Sequence, residues 1–317
     1  MIFFSILCAL VIDHFRPGRS EGFLSRVIGF VSGRFRVWCA AGPVHHVRMA
    51  WFMTVAFFAV PVWAVYCICL SLNPFFGFLW NILVLYLCMG FRHGQHFFLS
   101  IQMALLNGEE KKARRSLSQW CRCHTDDMTE RDIIQVTIGK SLMAVLKEVF
   151  GVIFWFVLPF GPAGAVFYRV CACLSRDWNG QKNDENDFGT FADRVFYWTN
   201  WIPVRLTALS FAAVGHFEEA VYGWRHFSGV WKNRNVGVLL SSAGGAMGVQ
   251  LGTPFERNSG NVAGKTFSVR VADSEVQGMP GEEPAVRFLQ STLGLIWRAL
   301  LLWLILLFLF TIVFYLP

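Results

Sequence analysis

From Met49 to Phe91 the chain carries no charged residue, and Arg48 and Arg92 bracket the run. Few soluble folds use so long an apolar stretch, and it is long enough for two membrane spans of about 20 residues each. Asn73-Pro74 falls near its middle, and a proline cannot continue the first helix. The expectation is a helical hairpin, Met49–Leu72 followed by Phe75–Phe91.

The rest of the chain repeats this character. Hydrophobic residues make up 55% and charged residues only 15%, against about a quarter charged in soluble domains. Met1–Asp13 reads as a retained membrane segment, because no basic stretch precedes it and no small-residue cleavage site follows. Ala299–Pro317 is uncharged after Arg298 and predicts a final span. Val149–Tyr168 is uncharged too, but Pro159, Gly161, Pro162 and Gly164 interrupt it. Such breaks at membrane depth need protein or a wet cavity to satisfy the freed backbone groups, so a broken or re-entrant helix is expected. Trp201–His216 is short, moderately apolar and holds Arg205, which suits packing or an interfacial position with Trp198 and Trp201 as anchors.

The formal net charge is +7. The basic residues flank apolar runs as orientation signals do, and no nucleic-acid-binding module is visible, so no nucleic-acid partner is expected. His14–Arg48 holds Arg16, Arg19, Arg26, Arg34, Arg36 and Arg48 against one acid, Glu21. Gly108–Gln119 reads as a basic amphipathic helix. This places 92–148 and 217–298 in the cytoplasm as polar regions, while the side of 169–200 stays open. The expected fold class is an all-α integral membrane protein, a multi-pass helical bundle forming one domain over 1–317. The lipid bilayer is its first partner, a small ligand or membrane protein its second, and homo-oligomer formation is compatible with the pattern.

Candidate chemistry is sparse. Cys121, Cys123, His124, Asp126 and Asp127 gather ligand types, but the second pair a structural zinc site wants is missing, so an ordinary loop is expected. His93 and His96 stand one helical turn apart and read as interfacial. Nine cysteines, several inside apolar runs, argue against a disulfide framework. Gly244, Gly248 and Gly252 recur every four residues and would share one helical face for close packing, with a phosphate-cradling loop as the sharper alternative. Glu218 and Glu219 read as a solvated helix start. Arg205 is either a functional group facing a partner or an interfacial arginine reaching headgroups. Neither a metal site nor a catalytic residue is assigned from spacing.

Three blocks, Gly161-Pro-Ala-Gly-Ala-Val-Phe-Tyr-Arg169, Asn200-Trp-Ile-Pro-Val-Arg-Leu-Thr-Ala-Leu209 and Ala246-Met-Gly-Val-Gln-Leu-Gly252, together resemble the CobD/CbiB family. The resemblance covers nearly the whole chain and implies a multi-pass bacterial inner-membrane fold. For the best-known members it implies adenosylcobinamide-phosphate synthase, the ATP- and magnesium-dependent joining of an aminopropanol phosphate to adenosylcobyric acid. The family's acidic positions differ here: Cys123-His124-Thr125 stands for Arg-Asp-Thr, and Met143, Ala144 and Lys147 stand for a Glu-Asn pair and a following acid. Ala172 and Ser175 replace an Asn and an Asp, and Phe196 and Tyr197 replace two aspartates.

Magnesium is usually held by carboxylates, so the leading expectation is a protein without synthase activity, similar to the AmpE-like branch of the superfamily. That branch shares Trp201–Leu206, Val214-Gly-His216 and the Phe154-Trp155 run, and is linked to cell-wall recycling. Ligand binding would fall to Thr125, Glu130, Gly161, Pro162, Tyr168, Arg169, Asn200, Pro203, Arg205 and Thr207. The alternative is the synthase itself, using Thr125, Glu130, Tyr168, Arg169 and Asn200 with ATP and magnesium. A transporter is a third reading, opposed by the lack of an internal repeat.

Overall fold

The computed structural model describes residues 2–15, 20–39, 45–121, 125, 128–179, 188–251 and 281–315. Among them the chain is all-helical, and its contacts divide it into two compact units.

The first unit comprises Met1–Arg92, Lys147–Pro203 and Phe308–Pro317. It contains α1 (Ile2–Phe15), α2 (Ser20–Cys39), α3 (His45–Leu72), α4 (Pro74–Cys88), α8 (Gly151–Val157), α9 (Pro162–Asn179) and α10 (Phe188–Thr199). The expected hairpin forms at the expected turn. Asn73 accepts the Phe75 amide at 2.9 Å and Pro74 opens α4, using the first helical position where a missing N–H costs nothing. Trp80 of α4 donates its indole N–H to the Val62 carbonyl at 3.3 Å and ties the two helices together. The second arm stops at Cys88, short of the expected Phe91. The arginine-rich stretch 14–48 is largely α2 instead of a loop.

Helix α9 is the hub of this unit and packs against α2, α3, α4, α8 and α10. Its start explains the Pro/Gly breaks read from the sequence. Gly161 has φ 53, a left-handed conformation glycine enters without penalty, and Pro162 then opens the helix. The break lies where expected, but α9 continues beyond Tyr168 to Asn179. Gly164 is needed because a Cβ there would lie 2.2 Å from the Trp155 carbonyl oxygen, so α8 and α9 pass backbone against backbone.

The second unit comprises His93–Leu146 and Val204–Leu307. It holds α5 (Phe91–Leu106), α6 (Glu110–Cys121), α7 (Glu130–Val145), α11 (Trp201–Val214), α12 (Phe217–Phe227), α13 (Arg234–Met247) and α14 (Val286–Tyr315), with the ends of α5, α11 and α14 reaching into the first unit's residues. Thr129 caps α7 reciprocally with Asp132: its hydroxyl accepts the Asp132 amide and the Asp132 carboxylate accepts the Thr129 amide. Glu218 and Glu219 occupy the exposed first turn of α12, as the solvated helix start requires.

Helix α13 is the hub here, buried from Asn235 through Ala246. The glycine stripe exists but in another phase. Helix α13 ends at Met247, and Gly248 is its left-handed cap with φ 68, so Gly248 cannot face a helix neighbour; Gly252 lies outside the described residues. The close approaches are at Gly237, where a Cβ would sit 2.2 Å from the Ser228 carbonyl oxygen, and at Gly245, 2.3 Å from that of Glu219. Ser242 adds a hydrogen bond to the Ala208 carbonyl of α11 at 2.9 Å.

Beyond α13, Val249 pairs in parallel with Glu282: Gln250 N–H reaches the Glu282 carbonyl at 3.0 Å and Glu282 N–H reaches that of Gly248 at 2.8 Å. Gly281, with φ 140, passes so close to Gly248 that a Cβ would lie 2.8 Å from its oxygen.

The last helix corrects the expected boundary at Ala299, since α14 starts at Val286 and includes Arg287 and Arg298. Arg298 sits within an apolar helix because it has an acceptor: its guanidinium donates to the Val214 carbonyl at the end of α11, 3.2 Å away. Trp303 adds an indole hydrogen bond to Ser210 at 2.7 Å. Two stretches, Val47–Leu72 and Val286–Val313, are long and apolar enough to cross a membrane, and only 6% and 17% of their most apolar windows are buried in protein.

The packing of α12 on α13 gives a direct test. Gly245→Val forces the helices apart and lowers stability by about 1–3 kcal/mol, the usual cost of overpacking. Gly33→Ala on α2, where a Cβ meets nothing within 4 Å, is neutral or gains up to about 1 kcal/mol of helix propensity. Thermal unfolding of the two purified variants in one detergent checks both, and equal melting temperatures would refute the close approach.

Candidate functional site

The polar core of the first unit forms where α8, α9 and α10 converge. Tyr168 and Arg169 lie on α9, and Asn200 follows the last turn of α10, its amide bonded to the Phe196 carbonyl at 3.0 Å. Tyr168 is fully buried, and its hydroxyl donates to Asn200 Oδ1 at 2.8 Å. Arg169 is 9% exposed and Asn200 5%. Buried polar groups persist only where they find partners, and the tyrosine–asparagine pair meets that condition.

The ring of Tyr168 lies directly on the backbone of α8. A Cβ at Gly151 would fall 2.2 Å from the Tyr168 hydroxyl oxygen, so only glycine permits this placement. Trp155, one turn later, donates its indole N–H to the Thr199 carbonyl at 3.3 Å and fixes the end of α10 beside the tyrosine.

Before α8 the helix widens into a π-helical turn, Leu146–Phe150. Such turns insert an extra residue into a helix and occur often at functional sites. This one carries Lys147 and Glu148, both half-buried. The Lys147 ammonium lies over the Phe196 ring, 5.5 Å from its centroid, close enough for a cation–π attraction. Glu148 and Arg169 both act electrostatically on the Tyr168 hydroxyl. The cluster thus combines two cations, one carboxylate, a phenol and a carboxamide in a shielded setting, where charge interactions exceed their strength in water.

Of the residues expected from sequence, Tyr168, Arg169 and Asn200 are brought together here. Gly161 and Pro162 build the turn that starts α9, and Pro203 is buried in the first turn of α11. Thr125, Glu130, Arg205 and Thr207 belong to the second unit. There Thr125 is buried and donates to the Arg114 carbonyl at 3.1 Å, and Glu130 is exposed in the first turn of α7. Thr207 is fully buried in α11. Arg205 is half-buried, and Asn235 Oδ1 faces it at 3.4 Å, so a protein side chain meets this guanidinium.

Sequence reasoning aligned Lys147 with a lost acid and passed over Glu148. The signal was present, since Lys147-Glu148 directly precedes the uncharged run, but its position on a π turn is set by tertiary structure. Asp193 likewise stands close to the replaced positions: it accepts the Ser175 hydroxyl at 2.6 Å, one turn before Phe196. Arg122, Cys123, His124, Asp126 and Asp127 lie outside the described residues, as does the side chain of His93. Among the described residues, no group of three or more His, Cys, Asp or Glu could hold a metal ion.

The Tyr168–Asn200 bond predicts a coupling. Tyr168→Phe strands the Asn200 oxygen and costs about 1–3 kcal/mol, and Asn200→Ala then costs less in that background than in the wild type. A double-mutant cycle on thermal stability measures this; strict additivity would mean the two side chains do not act on each other.

Comparison with known proteins agrees with this pattern of residues. Over 315 residues the chain is 27% identical to the cobalamin biosynthesis protein CobD of Stutzerimonas stutzeri, covering 96% of this chain and 97% of that one. It is 30% identical to the CobD of Chromobacterium violaceum over 217 residues, 67% of each chain. It is 24% identical over 257 residues to that of Leptospira interrogans, 78% of this chain and 80% of the relative. No solved structure matches it significantly. The family model described as CobD/Cbib protein matches residues 7–277, and the chain belongs to the CobD/CbiB family.

Proposed function

We propose that this protein is a multi-pass membrane enzyme of cobalamin biosynthesis that forms an amide between a corrinoid carboxyl group and an amino alcohol phosphate. The observation that carries this reading is the end-to-end likeness to a protein named for cobalamin biosynthesis, 96% of this chain against 97% of the relative. The relatives' names favour it over the AmpE-like, non-synthase reading, for which no separate observation speaks.

Membrane insertion is supported by the outer surfaces of the helices. Phe52, Phe57, Val60 and Ile68 on α3, and Leu301, Ile305 and Leu309 on α14, are exposed. An apolar surface of this extent on helices of spanning length suits a hydrocarbon solvent. The Asn73-Pro74 turn adds α4 as the returning arm, and the inner membrane of a bacterium is the proposed location.

The polar cluster supplies groups this chemistry needs. Lys147 and Arg169 attract phosphate-bearing substrates by charge, and the arginine fork also fixes their orientation. Glu148 is a carboxylate able to take the proton an attacking amine must lose. Asn200 and Gly151 hold the Tyr168 hydroxyl where it can donate or accept a hydrogen bond. Nucleotide hydrolysis, when ATP is bound, takes up the water that amide formation releases. Magnesium bound with phosphates commonly uses only one or two protein carboxylates, so Glu148 fits as its protein donor.

Expression in a bacterium lacking its own CobD/CbiB protein, grown where cobalamin must be made, tests the proposal. Growth is restored by the native chain, while Arg169→Ala and Lys147→Ala lower the rate of condensation in isolated membranes by about 100-fold, as loss of charge-stabilising groups does. Native protein that reaches the membrane yet neither restores growth nor condenses the substrates with ATP and magnesium would overturn it.

A further inference from the structure

The α5–α6 hairpin of the second unit has an outer face that the polar cluster does not use. The two helices run antiparallel through a tight turn with Gly108 at φ 71. The Ser100 and Ser116 hydroxyls meet at 3.2 Å, and the Phe97 and Trp120 rings stack 6.2 Å apart. The inner faces are buried through Phe98, Ile101 and Leu105 on α5 and through Ala113 and Leu117 on α6.

On the outer face of α5, Leu99, Met103 and Leu106 are 39%, 61% and 62% exposed. Steps of four and three residues align them in one stripe. On the outer face of α6, Lys111, Lys112 and Arg115 are exposed. The neighbouring acids are engaged, Glu109 by Lys112 at 3.1 Å and Glu110 by Arg114 at 3.2 Å. Lys111 and Arg115 make no ion pair among the described residues. The hairpin therefore presents an apolar stripe beside net positive charge.

Helix α5 has 16 residues and includes Gln95, His96 and Gln102, too short and too polar to span. An apolar row bordered by lysine and arginine is instead the pattern of a helix lying in the membrane–water interface. We propose that the α5–α6 hairpin rests on a bilayer surface of anionic phospholipid, with Met103 and Leu106 at the headgroup–acyl boundary and Lys111 and Arg115 against lipid phosphates. This rests on the membrane reading given above. The charge singles out the occupant: a neutral apolar partner would leave the cations unanswered, and a second copy would bring the same cations against themselves.

The test places a fluorescent unnatural amino acid at position 103, or at position 68 on α3, in the full-length protein. The protein is reconstituted in brominated phosphatidylcholine, alone or mixed with phosphatidylglycerol. Each cation near an anionic surface favours the docked state about fivefold. The probe at 103 is accordingly quenched several-fold more in the anionic bilayer, and the Lys111→Glu/Arg115→Glu variant removes the difference. The probe at 68 is quenched alike in both lipids. If 68 is quenched and 103 is not, or 103 responds equally in both lipids, the hairpin proposal is overturned while the membrane reading stands. Shielding of 103 that grows with protein concentration would assign the stripe to self-association and also overturn it. An unquenched probe at 68 would overturn the membrane reading itself.

Discussion

A helix in apolar surroundings satisfies every backbone group except those of its first and last turns, so its ends decide where it can begin and stop. Much of this structure is a set of answers to that constraint. Asn73 caps the start of α4, Thr129 and Asp132 cap that of α7, and Gly248 closes α13 by turning left-handed. Arg298 closes α11 from another helix, by donating to the Val214 carbonyl. That role accounts for a charge in an otherwise apolar helix, since the guanidinium replaces donors that water would provide elsewhere.

Within each unit one helix is enclosed by the others, and both enclosed helices depend on missing side chains. Helix α9 lies against Gly151 and carries its own Gly164, and α13 meets its neighbours at Gly237 and Gly245. Without hydrophobic drive between helices in lipid, close backbone approach is the main source of packing energy. The polar cluster follows from the same economy of volume, because Tyr168 occupies the space a side chain at position 151 would fill.

What was legible in the sequence follows from how local each signal is. The Asn73-Pro74 turn and the break at Gly161-Pro162 were readable because proline and a left-handed glycine act on their own residues. The start of α14 was not, because Arg287 and Arg298 looked like the edge of a polar region until a partner carbonyl explained one of them. The glycine stripe was seen in the wrong phase: the repeat at Gly244 and Gly248 is real, but a cap at Gly248 removes it from the helix. In the polar cluster, Tyr168, Arg169 and Asn200 came from family blocks. Lys147 and Glu148 were passed over because a π turn cannot be read from composition, and the apparent loss of every acid was therefore overstated.

The pairing of Val249 with Glu282 has a bearing on how such a chain can change. The hydrogen bonds around Gly248, Gln250 and Glu282 join the end of α13 to the approach of α14 irrespective of what connects them. Closing a connection at a fixed clasp costs little more as it lengthens, about 0.6 kcal/mol for each doubling. The clasp therefore separates the length of residues 252–280 from the packing of α13 and α14. Insertions and deletions can accumulate there during evolution while the helices on either side keep their register, and Gly281, where the backbones nearly touch, is the position that cannot drift with them.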